Sequence, residues 1–382
     1  MKYLTFDTET SIFQKGNPFS RCNKMCYAGF RLHTGEYVDF PMEYQDYPYG
    51  KSIKRIQEVI NEHDCIVGFN LKFDLHWLLR YGLVFSDKRI FDTQLAEFIL
   101  SRQSAAYPSL NGTAIGYGLE GKLDIIKTEY WDKGIDTPDV PEDVLRPYLQ
   151  QDVDQTWQVF CKQQERITPE NRTLISLANQ DLLALLEIEH NGMLYDVETS
   201  VKLGDDIQTE LDSIDFELRA TLECPQFSPG SGDHISAALY GGVLKYPGRE
   251  TYTYTYKDGS TTEKSRNCVI ERLMPQLVRP PKGAELAKAG YYATNEPTLR
   301  SLRVTGKAKR FVQIILRRSE LEKRRGTYLH GLPKLIETKD WEPGTIHGQL
   351  NQCVAVTGRL SSSQPNLQNF DKDIANLFVT RY

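Results

Sequence analysis

Apolar and polar side chains alternate along the first ten residues of the chain. Leu4 and Phe6 alternate with Thr5, Asp7 and Glu9, and this period of two in an aromatic and β-branched run predicts a β-strand. Residues two apart on a strand share a face, so Asp7 and Glu9 are predicted to project together. Two carboxylates side by side on a buried strand are unfavourable unless a cation neutralises them. The opening strand is therefore a candidate cation site.

A second apolar run is followed by a change to helical spacing. Residues 65–69 (CIVGF) predict a buried strand, and the segment after Asn70 has the periodicity of a helix. Its apolar positions are Leu71, Leu75, Leu78 and Leu79. Asn70 is a residue type that caps helix N-termini, and Asp74 lies one turn inside the predicted helix. The spacing predicts that Asn70 and Asp74 contribute to one site.

A third pattern runs through residues 147–164 and predicts a further helix. Pro147 suits the first turn of such a helix, where its missing N–H leaves no intrahelical bond unmade. Tyr148 and Asp152 are four residues apart and therefore lie on one face, whereas Asp154 points elsewhere. Strands are also predicted over residues 25–31 and 36–40, and a helix over residues 52–63.

Each grouping alone has a commonplace interpretation, such as a solvated strand end or a hydrogen-bonded surface pair. Together they supply four carboxylates and one phenol, enough to hold two divalent cations and activate a water. In this order they resemble the DEDD superfamily of 3′→5′ exonucleases, in the branch with a tyrosine four residues before the last aspartate. The other branch has a histidine five residues before that aspartate, where this chain has Pro147. The resemblance implies a ribonuclease-H-like domain over residues 1–168, with a mixed sheet flanked by helices.

The same resemblance implies the roles of the acidic residues. By this resemblance, the metal ligands are Asp7, Glu9, Asp74 and Asp152. Carboxylate oxygens favour the hard cations Mg²⁺ or Mn²⁺, two per site, and no His or Cys cluster in the sequence competes for them. Tyr148, whose reference pKa is about 10, suits the orientation of the attacking water better than the role of a strong base.

The resemblance also implies contacts with the substrate. Thr10 and Asn70 would contact the terminal nucleotide. Ile12 and Phe13 would wedge or stack against the last bases, or would belong to the ordinary core. Asp92, in the FDTQLA stretch of residues 91–96, would support the site without being a ligand.

A second set of motifs lies towards the C-terminus. Residues 356–370 read VTGRLSSSQPNLQNF and follow IHGQLNQ at residues 346–352. They resemble the stretch of family A DNA polymerases that grips the primer–template duplex. Residues 189–196, 228–241 and 323–333 match the same family in order. By this resemblance Arg359 reaches the minor groove near the primer terminus, Asn366 and Gln368 contact duplex or template, and Arg324 contacts DNA.

These motifs predict an α/β chain of three parts. Residues 1–168 form the exonuclease domain, residues 169–340 a mainly α-helical thumb-type region, and residues 341–382 the N-terminal part of the polymerase palm. An insertion occupies about residues 243–290, and a helix is predicted to stop at Asn191-Gly192.

Two features of the thumb-type region are candidates for contact with DNA. Residues 300–334 hold eleven Lys and Arg against two Glu, a net charge of +9 in a chain of net charge −5. This stretch suits a helix along a phosphate backbone or a solvated face. Within the insertion, alternation around Asp258-Gly259 predicts a hairpin. It would contact DNA or a processivity partner, or form a peripheral ribbon.

The family's catalytic palm aspartates and fingers lysine do not occur in the residues after Asn369. We therefore expect no nucleotide incorporation by this chain alone. It would be a truncated polymerase, or the N-terminal piece of a split phage polymerase that needs a C-terminal partner carrying the palm and fingers motifs.

Three functions follow from these motifs. The first is a proofreading exonuclease that acts on single-stranded 3′ ends of DNA and helps to bind the primer–template duplex. The second is a DNA-binding subunit that completes a split polymerase. The third, an RNA-trimming enzyme of the ribonuclease D type, shares the acidic residues but is disfavoured by the TGRLSSSQPNLQN match.

The composition predicts the cellular setting. The seven cysteines are scattered and form no CxxC motif. This pattern indicates a reducing cytoplasm, bacterial or of an infected host cell, and excludes a disulfide scaffold or zinc site. No apolar stretch reaches the length of a membrane span, so no membrane association is expected.

Overall fold

The alternating N-terminal segment forms the central strand of a five-stranded mixed sheet. The computed structural model describes residues 1–122 and 124–380. The strands of this sheet are β1 (Tyr3–Thr10), β2 (Met25–Arg31), β3 (Tyr37–Pro41), β4 (Cys65–Gly68) and β5 (Arg89–Asp92). Their order is β3-β2-β1-β4-β5. β2 is antiparallel to β1 and β3, while β1, β4 and β5 are mutually parallel. The prediction of an α/β fold with a mixed sheet is confirmed.

Helices cover this sheet, and the helices and strands together form its hydrophobic core. They are α1 (Gly50–Asn61), α2 (Leu71–Arg80), α3 (Thr93–Leu100), α4 (Leu110–Gly116), α5 (Ile125–Glu129), α6 (Glu142–Arg166) and α7 (Pro169–Asn191). Short 3-10 turns span Phe13–Lys15, Trp131–Lys133 and Thr137–Asp139. Leu4 and Phe6 of β1 are fully buried in the core. The predicted stop at Asn191-Gly192 is confirmed, because α7 ends at Asn191 and Gly192 has a φ of 62°.

The prediction that Pro147 lies in the first turn of its helix is wrong. Helix α6 begins at Glu142, so Pro147 lies inside the helix and not in its first turn. An internal proline removes one backbone hydrogen bond. Leu145 and Leu149 flank it and are fully buried, so side-chain packing holds this part of the helix where the backbone bond is missing.

Close packing of α6 on β2 depends on a glycine. A Cβ atom at Gly29 would lie 2.7 Å from Cγ of Leu149, which is too close for two carbon atoms without movement of one of them. Gly29 therefore lets α6 approach the sheet directly opposite Asp7, its partner in the β1–β2 ladder.

The chain folds into two compact units. The first comprises Met1–Val197 with Lys334–Tyr382, and the second comprises Glu198–Pro333. The two units are defined by packing alone and do not test the three predicted domain ranges. Those ranges remain a prediction. After α7 the chain forms the short strand β6 (Met193–Tyr195) and then enters the second unit.

Helices and one long hairpin form the second unit. The elements are α8 (Val197–Thr221), α9 (Gly232–Tyr240), β7 (Gly242–Thr255), β8 (Thr261–Met274), α10 (Glu296–Ser301) and α11 (Gly306–Lys323), followed by a π-helical turn at Arg324–Leu329. Its own core includes Phe227, Leu239, Phe311 and Ile315. The hairpin predicted around Asp258-Gly259 is present, and Gly259 has a φ of 85° in the turn.

The last part of the chain returns to the first unit through α12 (Gly331–Thr338). It adds β9 (Thr345–Ile346), β10 (Gln349–Asn351), β11 (Ser361–Ser363), α13 (Lys372–Ala375) and β12 (Phe378–Val379). Strands β12, β6 and β9 form one small sheet in that order, and β10 pairs with β11. Among the described residues, every helix is too short or too polar to cross a membrane.

Candidate active site

Three carboxylates meet where β1 faces α6. Asp7, Glu9 and Asp152 each offer one oxygen, and these oxygens all lie within 4.8 Å of one another. Asp7 and Glu9 share a face of β1, and Asp152 comes from the part of α6 that packs over Gly29. The structure therefore brings together three of the four acids that the sequence selects as metal ligands.

The fourth acid is tied to the same strand by a hydrogen bond. Asp74 lies in the first turn of α2 and is buried. Its Oδ1 accepts a 2.6 Å hydrogen bond from the hydroxyl of Thr8, the residue between Asp7 and Glu9. Asp74 is outside the tight group of three, but its charge contributes to the raised pKa of Asp7. Thr8 thus links α2 to the strand at the candidate site.

Asn70 does not cap α2 with its side chain, contrary to expectation. It occupies the N-cap position in a left-handed conformation, φ 56° and ψ 42°, and makes no capping bond among the described residues. Asp92 performs this role instead, since its Oδ2 accepts a 2.8 Å bond from the Leu71 amide. The other Asp92 oxygen caps α3 through the amides of Gln94 and Leu95. The Asn70 side chain is left at the surface, where it lines the same cleft as Asp7 and Asp152.

Burial and mutual repulsion disfavour ionisation of the acids. Loss of solvent, followed by the charges of Asp74 and Asp152, raises the pKa of Asp7 well above its usual value. Burial and the charge of Asp152 act likewise on the pKa of Glu9. Burial raises the pKa of Asp74 to about 8. A cation at this position would reverse each shift, because it stabilises the ionised carboxylates.

One lysine supplies positive charge to the cluster. Lys122 makes an ion pair with both oxygens of Asp152, and its Nζ lies 3.4 Å from the centre of the Tyr148 ring. Burial raises the pKa of Asp152, while the ion pair with Lys122 lowers it. The Lys122 ammonium thus provides part of the charge that a bound divalent cation would also supply.

Tyr148 lies beside Asp152, as the spacing on α6 predicts. Its hydroxyl donates a 2.9 Å hydrogen bond to Oδ1 of Asp124. Burial, and then the charges of Asp152 and Glu9, raise the pKa of Tyr148 far above its ordinary range. A phenol that stays protonated can donate a hydrogen bond but cannot serve as a base.

Two of the acids, Asp7 and Asp152, open onto a cleft of about 450 Å³. Its lining includes Asp7, Asn70, Gln94, Lys122, Asp152 and Gln155. Gln155 is buried and donates from Nε2 to the carbonyl oxygen of Glu120, 3.0 Å away. Sequence reasoning missed Lys122, Asp124 and Gln155. The first two precede α5 in a stretch without hydrophobic periodicity, and the sequence carries no signal there.

Predicted DNA contacts lie at the end of β1 and in the second unit. Thr10 and Phe13 follow the acids at the end of β1, where Phe13 is half exposed in a 3-10 turn. The backbone amide of Ile12 donates to Asp136 Oδ1 at 2.8 Å, which anchors this turn. Arg324 begins the π-helical turn of the second unit. The roles proposed for these residues remain predictions.

The residues predicted to contact duplex lie beside the β10–β11 hairpin. Arg359 is exposed on the connection between the two strands. Asn366 Oδ1 accepts a 3.0 Å bond from the Gln368 amide, and Gln368 Nε2 donates to the Leu360 carbonyl at 3.3 Å. None of these three side chains lines the acidic cleft, and their contact with DNA remains a prediction.

The basic stretch of residues 300–334 is less available than its net charge suggests. On α11, Arg310, Arg317 and Arg318 pair with acids of α8. Ion pairs recorded among the described residues involve Arg300, Arg310, Arg317, Arg318 and Arg325 of this stretch. Three of these arginines therefore hold α11 against α8, and the choice between a phosphate-binding helix and a solvated face remains a prediction.

Comparisons with known proteins agree with both sets of motifs. Residues 1–168 match the family model described as 3′-5′ exonuclease, and residues 203–380 match the one described as DNA polymerase family A. DNA polymerase I of Aquifex aeolicus is 24% identical over 384 aligned positions, which cover 98% of this chain and 55% of that protein. Residues 203–380 of the chain belong to DNA polymerase family A. The chain also contains the 3′-5′ exonuclease domain found in DNA polymerase I relatives.

Two further DNA polymerases match different lengths of the chain. The thermostable DNA polymerase I of Thermus thermophilus is 38% identical over 100 residues, 26% of this chain and 11% of that protein. The DNA polymerase of Bacillus phage SP01 is 25% identical over 351 residues, 87% of this chain and 37% of that protein. This chain spans between 11% and 55% of the length of these three relatives.

A solved structure shows the same fold. It is the POL domain of Pol1 from M. smegmatis, in complex with DNA primer-template and dNTP, with a TM-score of 0.64 and 16% identity. The match covers 98% of this chain and 54% of that one. At this level of identity the likeness is one of fold alone.

Proposed function

We propose that this chain is a metal-dependent 3′→5′ exonuclease that removes nucleotides from single-stranded 3′ ends of DNA and serves proofreading. The observation that carries the proposal is the meeting of Asp7, Glu9 and Asp152 oxygens within 4.8 Å in a mostly buried site. Such a group of like charges is unfavourable without a counter-charge. The match of residues 1–168 to the exonuclease family supports the assignment.

The donor set fits divalent metal ions. Asp7, Glu9, Asp74 and Asp152 offer oxygen ligands only, which is the preference of Mg²⁺ and Mn²⁺. We propose that they hold two such ions. When bound, these ions would lower the pKa of a water and stabilise the charge on the leaving 3′ oxygen.

The residues of the chain position the reactants. The protonated Tyr148 hydroxyl would orient the attacking water by hydrogen bonding, and Thr8 would keep Asp74 beside β1. The water oxygen forms a bond to phosphorus while the bond from phosphorus to the 3′ oxygen breaks. The products are a nucleoside 5′-monophosphate and a strand with a new 3′-hydroxyl. Lys122 would place a positive charge next to the scissile phosphate.

Substrate contacts and partners form part of the same proposal. Thr10, Phe13 and Asn70 would contact the terminal nucleotide, and primer–template duplex would contact Arg324, Arg359, Asn366 and Gln368. The related fold in complex with DNA primer-template and dNTP supports duplex binding. A C-terminal polymerase fragment with the palm and fingers motifs would complete polymerisation. Bacterial and phage relatives support a bacterial or infected-cell cytoplasm.

A nuclease assay tests the proposal. A 5′-labelled single strand of DNA is incubated with the purified chain and Mg²⁺, with EDTA in a parallel reaction and a labelled RNA strand in another. We expect stepwise shortening of the DNA in Mg²⁺ only, abolished by Asp7→Ala. Absence of digestion by the native chain would contradict the nuclease proposal and leave the DNA-binding subunit of a split polymerase. Preferential digestion of the RNA would indicate the ribonuclease D type of activity.

A further inference from the structure

The hairpin of β7 and β8 extends beyond the core of the second unit. Its base is anchored by Leu244 and Met274, which are buried, and by the partly buried Tyr246. Each strand is 14 residues long, and residues 249–257 are exposed without interruption. A two-stranded ribbon without a covering layer has little core of its own. Its distal side chains are therefore available to a ligand.

The strand register separates two faces of this ribbon. Tyr252 lies opposite Lys264, and Tyr254 lies opposite Thr262. Glu250 lies opposite Arg266, two residues further from the turn. Because alternate residues share a face, Tyr252, Tyr254, Lys264 and Arg266 project from the same side, called here the aromatic–basic face.

The cations of the aromatic–basic face rest on its tyrosines. Lys264 Nζ lies 3.6 Å from the ring centre of Tyr254 and 5.1 Å from that of Tyr256. The Arg266 guanidinium carbon lies 5.5 Å from the ring centre of Tyr252. Arg266 also makes an ion pair with Glu250. Lys264 makes no ion pair within the part of the chain that the structure describes. The tyrosines remain 38% and 41% exposed at positions 252 and 254.

The opposite face has a different chemistry. Thr251 and Thr253 occupy its distal part with Arg249, and the exposed Val269 and Leu273 lie nearer its base. A protein partner that buries apolar surface would use this opposite face. Aromatic rings beside cations are instead the combination that binds the bases and phosphates of nucleic acids.

We propose that the aromatic–basic face binds single-stranded DNA. Tyr252 and Tyr254 are two residues apart, so their Cα atoms are separated by about 7 Å along the strand, and each ring can stack on a different base. Lys264 and Arg266 then contact the adjoining phosphates. An unpaired strand is favoured over duplex because its bases can leave their own stack to meet a tyrosine. Stacking of this kind accepts any base.

This inference goes beyond the exonuclease proposal, because it concerns a surface of the second unit and requires no hydrolysis. The experiment measures fluorescence anisotropy of 5′-fluorescein-dT20 with the full chain in EDTA, which prevents digestion. A Tyr252→Ala/Tyr254→Ala double variant is expected to bind on the order of tenfold more weakly. Lys264→Ala is expected to reduce the slope of log affinity against log salt by about 0.7.

Arg249→Ala is the matched control, since it removes one cation from the same hairpin but from the opposite face. We expect it to bind dT20 within about twofold of the native chain, because one exposed cation away from the tyrosines contacts no stacked strand. Thermal unfolding of each variant checks that the fold is kept. A second measurement uses trypsin cleavage after Lys257 in the hairpin turn, which dT20 should slow in the native chain and not in the double tyrosine variant.

Three outcomes would overturn the proposal. The first is binding of dT20 by the tyrosine and Lys264 variants equal to that of the native chain. The second is an equal loss on a 20-base-pair duplex, which would show a contact with phosphates and not with bases. The third is an equal loss in Arg249→Ala, which would show unspecific attraction by the charge of the hairpin. None of these results depends on whether the chain cuts DNA.

Discussion

Two clusters of like charge in this chain have opposite surroundings. In the first unit, the carboxylates of Asp7, Glu9 and Asp152 crowd together in a mostly buried site, where Lys122 pairs with Asp152. In the second unit, the arginines of α11 each face an acid of α8, as Arg318 faces Asp215 at 2.6 Å. A stretch of positive charge can therefore stabilise helix packing through ion pairs. A converging set of buried acids is instead unfavourable without a counter-charge.

Solvent explains the difference between them. Exposed ion pairs such as Arg317–Glu210 contribute about 0–1 kcal/mol each, since water already stabilises both charges. The buried acids have lost that water, and the pKa values of Asp7, Glu9 and Asp74 are raised as a result. Removal of a charge should accordingly affect activity at one cluster and stability at the other.

The largest effect is expected at Asp152. Asp152→Ala removes a carboxylate from the group of three, and we expect the nuclease rate to fall on the order of 10³-fold or more. Asp154→Ala is the matched control on the same helix, because Asp154 pairs with Arg31 at 2.8 Å and lies outside the cluster. It should keep the native rate within about threefold. Equal losses in single-turnover digestion of a labelled strand would remove the distinction between the two acids.

A smaller effect is expected at Tyr148. Tyr148→Phe removes the hydroxyl that would orient the attacking water, and we expect a rate decrease of roughly 10- to 100-fold. Because the raised pKa keeps this hydroxyl protonated, the pH–rate profiles of the native and variant chains should run parallel from about pH 7 to 9. Tyr27→Phe, which removes a phenol bonded to Glu142, serves as the control. A native rate in Tyr148→Phe would exclude the orienting role.

The buried acids also predict how metal and pH act on stability. The pKa of Asp74 is raised by burial to about 8 in the folded chain from 3.8, so the folded state binds more protons than the unfolded state between these values. Stability without metal should then fall as pH rises through this window, and be greatest below it. Mg²⁺ should raise the unfolding temperature by several degrees at pH 8 and much less at pH 5, because it binds ionised carboxylates. Calorimetric scans with and without EDTA would measure both trends, and a Mg²⁺ effect independent of pH would contradict them.

The smallest effects are expected on α11. Arg318 and Asp215 are mostly buried, and Arg318→Ala should lower the free energy of unfolding by about 1–2 kcal/mol. Arg317→Ala breaks an exposed pair and should lower it by less than about 0.5 kcal/mol. Urea titrations compare the two variants. A large loss of DNA binding in Arg318→Ala with unchanged stability would show that this arginine serves DNA instead of packing.

Local pattern determined a large part of the candidate site. Alternation in β1 placed Asp7 and Glu9 on one face, and the four-residue spacing on α6 placed Tyr148 beside Asp152. The Asp258-Gly259 signal likewise located the hairpin turn. These predictions succeeded because the period of a strand or helix fixes the relative direction of nearby side chains.

Only the tertiary structure decided which groups meet. Gly29 lets α6 lie close enough for Asp152 to join β1, and Thr8 receives Asp74 from α2. Lys122 enters the site from a segment without periodicity, and acids of α8 pair with arginines of α11 that are distant in sequence. Pro147 sits inside a helix because buried leucines around it compensate for a missing hydrogen bond. Contacts between distant segments depend on packing and solvent exclusion, which no local period encodes. The sequence by itself therefore determined the acids and the faces they occupy, while packing decided their separation, their protonation and their counter-charge.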